Sequence, residues 1–171
     1  YYLELDSIET AKKLIHESIK SNPYIYAPEI LLAQIYLSEN KLDSALYYSK
    51  RAFNGITNNN RHRDTYFDVL KELNDSVSLD SAFVKIRKIK RGLDHWVDYI
   101  MTRNDINNKP DKRLLDLIEE MTIKYPNQDS IRLKGLKRMV ELGGRTYTQA
   151  LVIAERGNME FKNENYKGAA D

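Results

Sequence analysis

Cysteine is absent from these 171 residues, so the fold has no disulfides and the chain has no thiolate chemistry. Glycine (7) and proline (4) are scarce, too scarce for a turn-rich all-β protein. No apolar run approaches the roughly 18 residues that a membrane span needs, and no signal-peptide pattern is visible. A surplus of one charge is also missing. With 27 basic and 25 acidic residues the net charge is +2, which gives no global field to draw in nucleic acid or a membrane. No nucleic-acid partner is therefore expected. What remains is 42% hydrophobic and 30% charged, the balance of a chain that folds.

The hydrophobic residues are spaced for helices. In "SIETAKKLIHESIKSNP" the residues Ile8, Ala11, Leu14, Ile15, Ser18 and Ile19 fall on one helical face. Pro23 closes that stretch and pushes Asn22 out of helical geometry. Ile30, Leu31, Ala33, Tyr36 and Leu37 form a second face. After the polar turn "SENK", a third follows at Leu42, Ala45, Leu46, Ser49, Ala52 and Phe53. A link of about three residues forces its two helices to pack antiparallel. Further along, Tyr66, Phe67, Leu70 and Leu73 point inward from one predicted helix. Ala82, Phe83, Ile86 and Ile89 do so from the next.

Ala11 and Ala45 lie 34 residues apart, as do Pro23 and Thr57. A 34-residue helix–turn–helix period is the mark of tetratricopeptide repeats, and residues 8–57 resemble that family. Small residues stand where the family's helices cross closely: Ala11 in one repeat, Ala33, Ala45 and Ala52 in the next. The tail is similar, with Gly157, Tyr166 and Ala169 spaced as Ala33, Leu42 and Ala45 are. The resemblance implies an all-α fold of antiparallel helix hairpins stacked in a right-handed superhelix. It divides the chain into regular repeats over 1–57, degenerate ones over 58–126, an extra helix over 127–145 and the start of a further repeat over 146–171. The middle is expected to be irregular, because Ala82 follows Ala45 by 37 residues, an insertion of about three. Both ends cut through repeats, so the chain is expected to be a segment of a longer array. It also resembles the soluble repeat tails of some bacterial polysaccharide polymerase- or ligase-like membrane proteins. In that reading any membrane contact comes through parts of the parent protein outside this segment.

No catalytic or cofactor-binding constellation is legible. His16, His62 and His95 sit on three separate predicted helices without a second ligand at helical spacing, and their expected role is packing or surface. Glu119 and Glu120 are adjacent on a helix and point apart. No enzymatic activity, metal or cofactor is expected. Tyr36, Tyr47 and Tyr166 are expected in the core. The basic run "KIRKIKR" places Lys85, Arg87, Lys88, Lys90 and Arg91 on the outside of a helix. It is read as a solvated face or, alternatively, as a receptor for an anion, with "RHR" at 61–63 nearby.

The repeat resemblance implies a concave groove that holds a protein or peptide partner. Carried over by register, its lining is Ile30, Gln34 and Ser38 in one repeat, Asp64, Asp68 and Lys71 in the next, and Ala154, Asn158 and Lys162 in the last. The chaperone-binding members of the family grip a terminal carboxylate with Lys and Asn. Here Gln34 and Ile30 replace those residues, so the expected partner is a different peptide or protein.

Overall fold

The computed structural model describes residues 2–89, 93–126 and 130–143. These residues are all-α, with eight helices and no strand among them. The chain divides into two compact units, residues 1–103 and 104–171, with the division falling inside one helix.

The first unit begins with α1 (Tyr2–Ser21) and α2 (Ala27–Ser38), followed by α3 (Leu42–Gly55), α4 (Asn60–Glu72) and α5 (Ser76–Ile89). Pro28 starts α2, where its missing N–H has no helical partner to lose. Asn59 caps α4 by accepting from the His62 backbone N–H at 3.4 Å. Asp75 caps the next helix by accepting from the Ser78 N–H at 3.0 Å. Helix α2 packs on α1, α3 and α4, and α3 packs on α4. The core between them is Leu32, Ala33, Ala45, Ala52, Phe53, Phe67, Val69 and Leu70, all within 2% of full burial. Ala33, Ala45 and Ala52 thus stand at buried helix contacts, as their size requires.

Helix α6 (Asp94–Asn107) carries Trp96 and Tyr99 onto α5. Phe83 stacks flat on Tyr99 at 3.9 Å and meets Trp96 edge-on at 5.4 Å. In the second unit, α7 (Lys112–Lys124) packs on α8 (Ser130–Leu142) through Ile118, Met121, Leu133 and Leu136.

The turns carry a regular period of their own. Asn40, Asn74 and Asn108 have left-handed backbone (φ 57°, 54° and 51°) and recur every 34 residues. Two of these turns have the same hydrogen bonds. Lys41 N–H donates to Tyr36 C=O and Asn40 N–H to Leu37 C=O, while Asp75 N–H donates to Leu70 C=O and Asn74 N–H to Lys71 C=O. Gly143, with φ 74°, follows Asn108 by 35 residues and ends α8. The 34-residue recurrence of these turns therefore runs from α2 to α6 without the three-residue insertion, and α8 ends one residue beyond the next step. Leu79, fully buried and 34 residues after Ala45, takes the place that had been given to Ala82. Ala82 is buried one helical turn further on.

Several expected core positions face water instead. In α1, Leu14 is 60% exposed and Ile8 lies at the surface, while the buried residue is Lys12, whose ammonium reaches Glu9 and Glu39. A lysine stem is long enough to cover apolar surface while its head pairs with carboxylates. Ile89, in the last turn of α5, is exposed, Leu73 is half-buried, and Tyr47 is mostly exposed with its ring edge-on to Tyr48. Tyr36 is half-buried and stacked on Tyr48. Gly157, Tyr166 and Ala169 lie outside the described residues. No described helix is long and apolar enough to cross a membrane.

Candidate partner groove

Helix α4 repeats α2 one period later, so equivalent side chains fall side by side on the two helices. Gln34 and Ser38 on α2 and Asp68 and Lys71 on α4 line one open cleft of about 420 Å³, and Leu37, Asn40, Leu42 and Glu72 complete its walls. Four of the groove residues read from the sequence are therefore brought together. Helical geometry explains the clustering: residues four apart on a helix share a face, as Gln34 and Ser38 do, and as Asp64, Asp68 and Glu72 do.

The α2 wall is held in place by polar contacts. Gln34 Nε2 donates to Thr65 Oγ1 at 3.4 Å, and Arg61 donates to Gln34 Oε1 at 3.3 Å. Ser38 Oγ donates back to the Ile35 carbonyl at 2.7 Å, which leaves the hydroxyl oxygen able to accept. On α4, Asp64 is engaged by the buried Arg63, at 2.6 Å from Nη2, and the same guanidinium also pairs with Asp98. Asp68 differs. Neither it nor Glu72 accepts a side-chain hydrogen bond or forms an ion pair among the described residues. Partial burial in the cleft wall raises the Asp68 pKa, Lys71 opposes that rise, and the neighbouring Asp64 and Glu72 add to it.

Ile30 does not belong to the groove. It is 1% exposed and packs in the core. Helix α2 is apolar almost all round, so register alone could not tell which of its aliphatic side chains turn inward. Ala154, Asn158 and Lys162 lie outside the described residues. Leu37, Asn40, Leu42 and Glu72 line the cleft without belonging to the groove set that register predicts. The last could have been found from the spacing of Asp64, Asp68 and Glu72, and Asn40 from the turn period.

The basic run on α5 is only partly a free face. Lys85 and Lys88 are exposed, with Lys85 Nζ donating to Asn54 Oδ1 at 3.1 Å. The Arg87 guanidinium lies over the Trp96 ring at 4.5 Å and near Phe83 at 5.6 Å, where it covers the aromatic cluster. Lys90 and Arg91 lie outside the described residues. The "RHR" stretch adds little to this patch, because His62 and Arg63 are both 3% exposed.

Among the described residues no group of three potential metal ligands comes together. His62 is buried, with its Nδ1–H donating to the Ala52 carbonyl at 3.2 Å. Burial lowers its pKa, against the pull of that hydrogen bond. His95 is buried between Phe83 and Trp96, and His16 lies edge-on to Tyr48 at the surface. A second cleft, of about 450 Å³, lies between α7 and α8 and is walled mainly by Ile118, Ile123 and Leu133. Glu119, Thr122, Lys134 and Lys137 stand among its lining residues, and Lys137 pairs with Glu119 at 4.0 Å.

Comparison with protein-family models, with curated proteins and with solved structures gave no match.

Proposed function

We propose that this chain is a non-catalytic interaction module built of tetratricopeptide-like repeats, and that it holds a peptide or protein segment in the groove between α2 and α4. The observation that carries the reading is the convergence of Gln34, Ser38, Asp68 and Lys71 on one cleft. Two successive repeats contribute to it, as a repeat array does when it builds a continuous binding surface. The 34-residue recurrence of Asn40, Asn74 and Asn108 supports the repeat reading independently of the small side chains. A cleft that mixes aliphatic walls with hydrogen-bonding and charged groups suits an extended or helical segment better than a small apolar ligand.

The test is affinity capture with the complete protein, repeated with Gln34→Trp and Ser38→Trp. Both side chains are exposed, so an indole there fills the cleft without entering the core. The reading predicts that specifically captured partners are lost from both variants. An unchanged partner set from folded variants would remove the groove.

A further inference from the structure

We infer that the occupant of the α2–α4 groove is an extended peptide segment bearing basic side chains at alternate positions. This deepens the groove reading and rests on it. Carboxylates run along one face of α4 at Asp64, Asp68 and Glu72, one helical turn after another. Asp64 is answered within the fold by Arg63. Asp68 and Glu72 are not; they line the cleft with no hydrogen-bonding or ion-pairing side chain of their own among the described residues.

Asp68 is exposed at the cleft wall, where its carboxylate is open to a cation brought by the partner. Lys71 leaves the cleft with two carboxylates against one ammonium. The complementary partner is therefore cationic.

Spacing sets the period of the partner's charges, and the opposite wall sets its form. Four residues of helix advance about 6 Å, and alternate residues of an extended chain advance about 6.7 Å. Lysine or arginine side chains two apart on an extended segment thus fall in step with Asp68 and Glu72. The opposite wall suits the same occupant. Ser38 and Gln34 are likewise four residues apart and present groups that can pair with an extended backbone, which has free N–H and C=O groups on its edges.

The experiment uses the full chain and a dye-labelled peptide in which lysine alternates with serine, followed by fluorescence anisotropy at low and high salt. A matched peptide with glutamate for lysine serves as the opposite arm. The expected result is binding of the lysine peptide alone, weakened by salt. Asp68→Asn combined with Glu72→Gln should reduce its affinity about tenfold. Removing the same charge elsewhere, by Glu17→Gln with Asp43→Asn, should leave affinity within about twofold. Glu72→Gln alone, at an exposed helix end, guards against a folding defect in the double variant and should show part of the loss.

Equal binding of the two peptides would overturn the inference, as would equal losses from the groove pair and the remote pair. The groove reading fails separately. If Ser38→Trp abolishes partner capture while the neutralised groove pair retains it, the groove stands and the cationic occupant falls. If Ser38→Trp leaves capture intact, the groove itself falls.

Discussion

His62 is a buried imidazole with one ring nitrogen tied to the Ala52 carbonyl, and its environment favours the neutral form. Its folded-state pKa is below the usual 6.5, so between the two values the unfolded chain binds the proton and the folded chain does not. The stability that His62 contributes is fully present above pH 6.5 and is lost as the pH falls through the lower, folded value. Urea midpoints measured across this range should therefore decline on acidification. His62→Gln keeps a donor for the carbonyl and removes the titration, so this part of the decline should flatten. A slope unchanged by the substitution would assign it to other groups. Glu29 has the opposite sign. Burial raises its pKa, with Arg51 at 3.1 Å opposing the rise, so its proton is bound more readily by the folded chain and its contribution grows on acidification above the usual 4.5. Because the two groups act with opposite sign, the substitution and not the bare profile is diagnostic.

At the scale of elements, the helices end on a repeated device. A left-handed residue closes α2, α4 and α6, and asparagine supplies it each time. Residues other than glycine and asparagine pay about 1–2 kcal/mol for that backbone. Asn40→Ala and Asn74→Ala should each destabilise by about 1 kcal/mol, lowering the melting temperature by about 2–4 °C in a chain of this size, while the Asn→Gly variants stay near wild type. Gly143→Ala should cost more than either, because its Cβ would lie 2.8 Å from the Lys109 Cα in addition to the strained φ. Equal melting temperatures for the Ala and Gly variants at Asn40 would contradict the left-handed turn.

These turns also show what was legible in the sequence. Helix positions could be read because hydrophobic spacing and Pro or Asn punctuation agree with each other from Ala27 to Leu142. The repeat register was harder. Small residues set it by Ala82, whereas the 34-residue step from Ala45 falls on Leu79, which is fully buried one helical turn earlier. The turn asparagines carry the period without that ambiguity, since backbone geometry restricts them more tightly than packing restricts a core residue. Groove residues were recovered where a polar side chain had to face water, as at Gln34, Ser38, Asp68 and Lys71. They were misjudged at Ile30, where an aliphatic side chain gave no sign of its side. Lys12 went inward unannounced, because its partner Glu39 lies 27 residues away in the chain.

Across the whole molecule the charges nearly cancel, yet they are not mixed evenly. Unpaired carboxylates collect in the α2–α4 cleft, while exposed lysines stand on α5. A local grouping of this kind gives one face its own field although the net charge is small. A partner held in the cleft lies within reach of position 38 and not of position 81, on the exposed side of α5, and a photo-crosslinking amino acid at each position of the complete protein tells the two apart. Irradiation in the presence of the captured partner should join it to position 38 and not to position 81. Crosslinking from position 81 with none from position 38 would contradict the account.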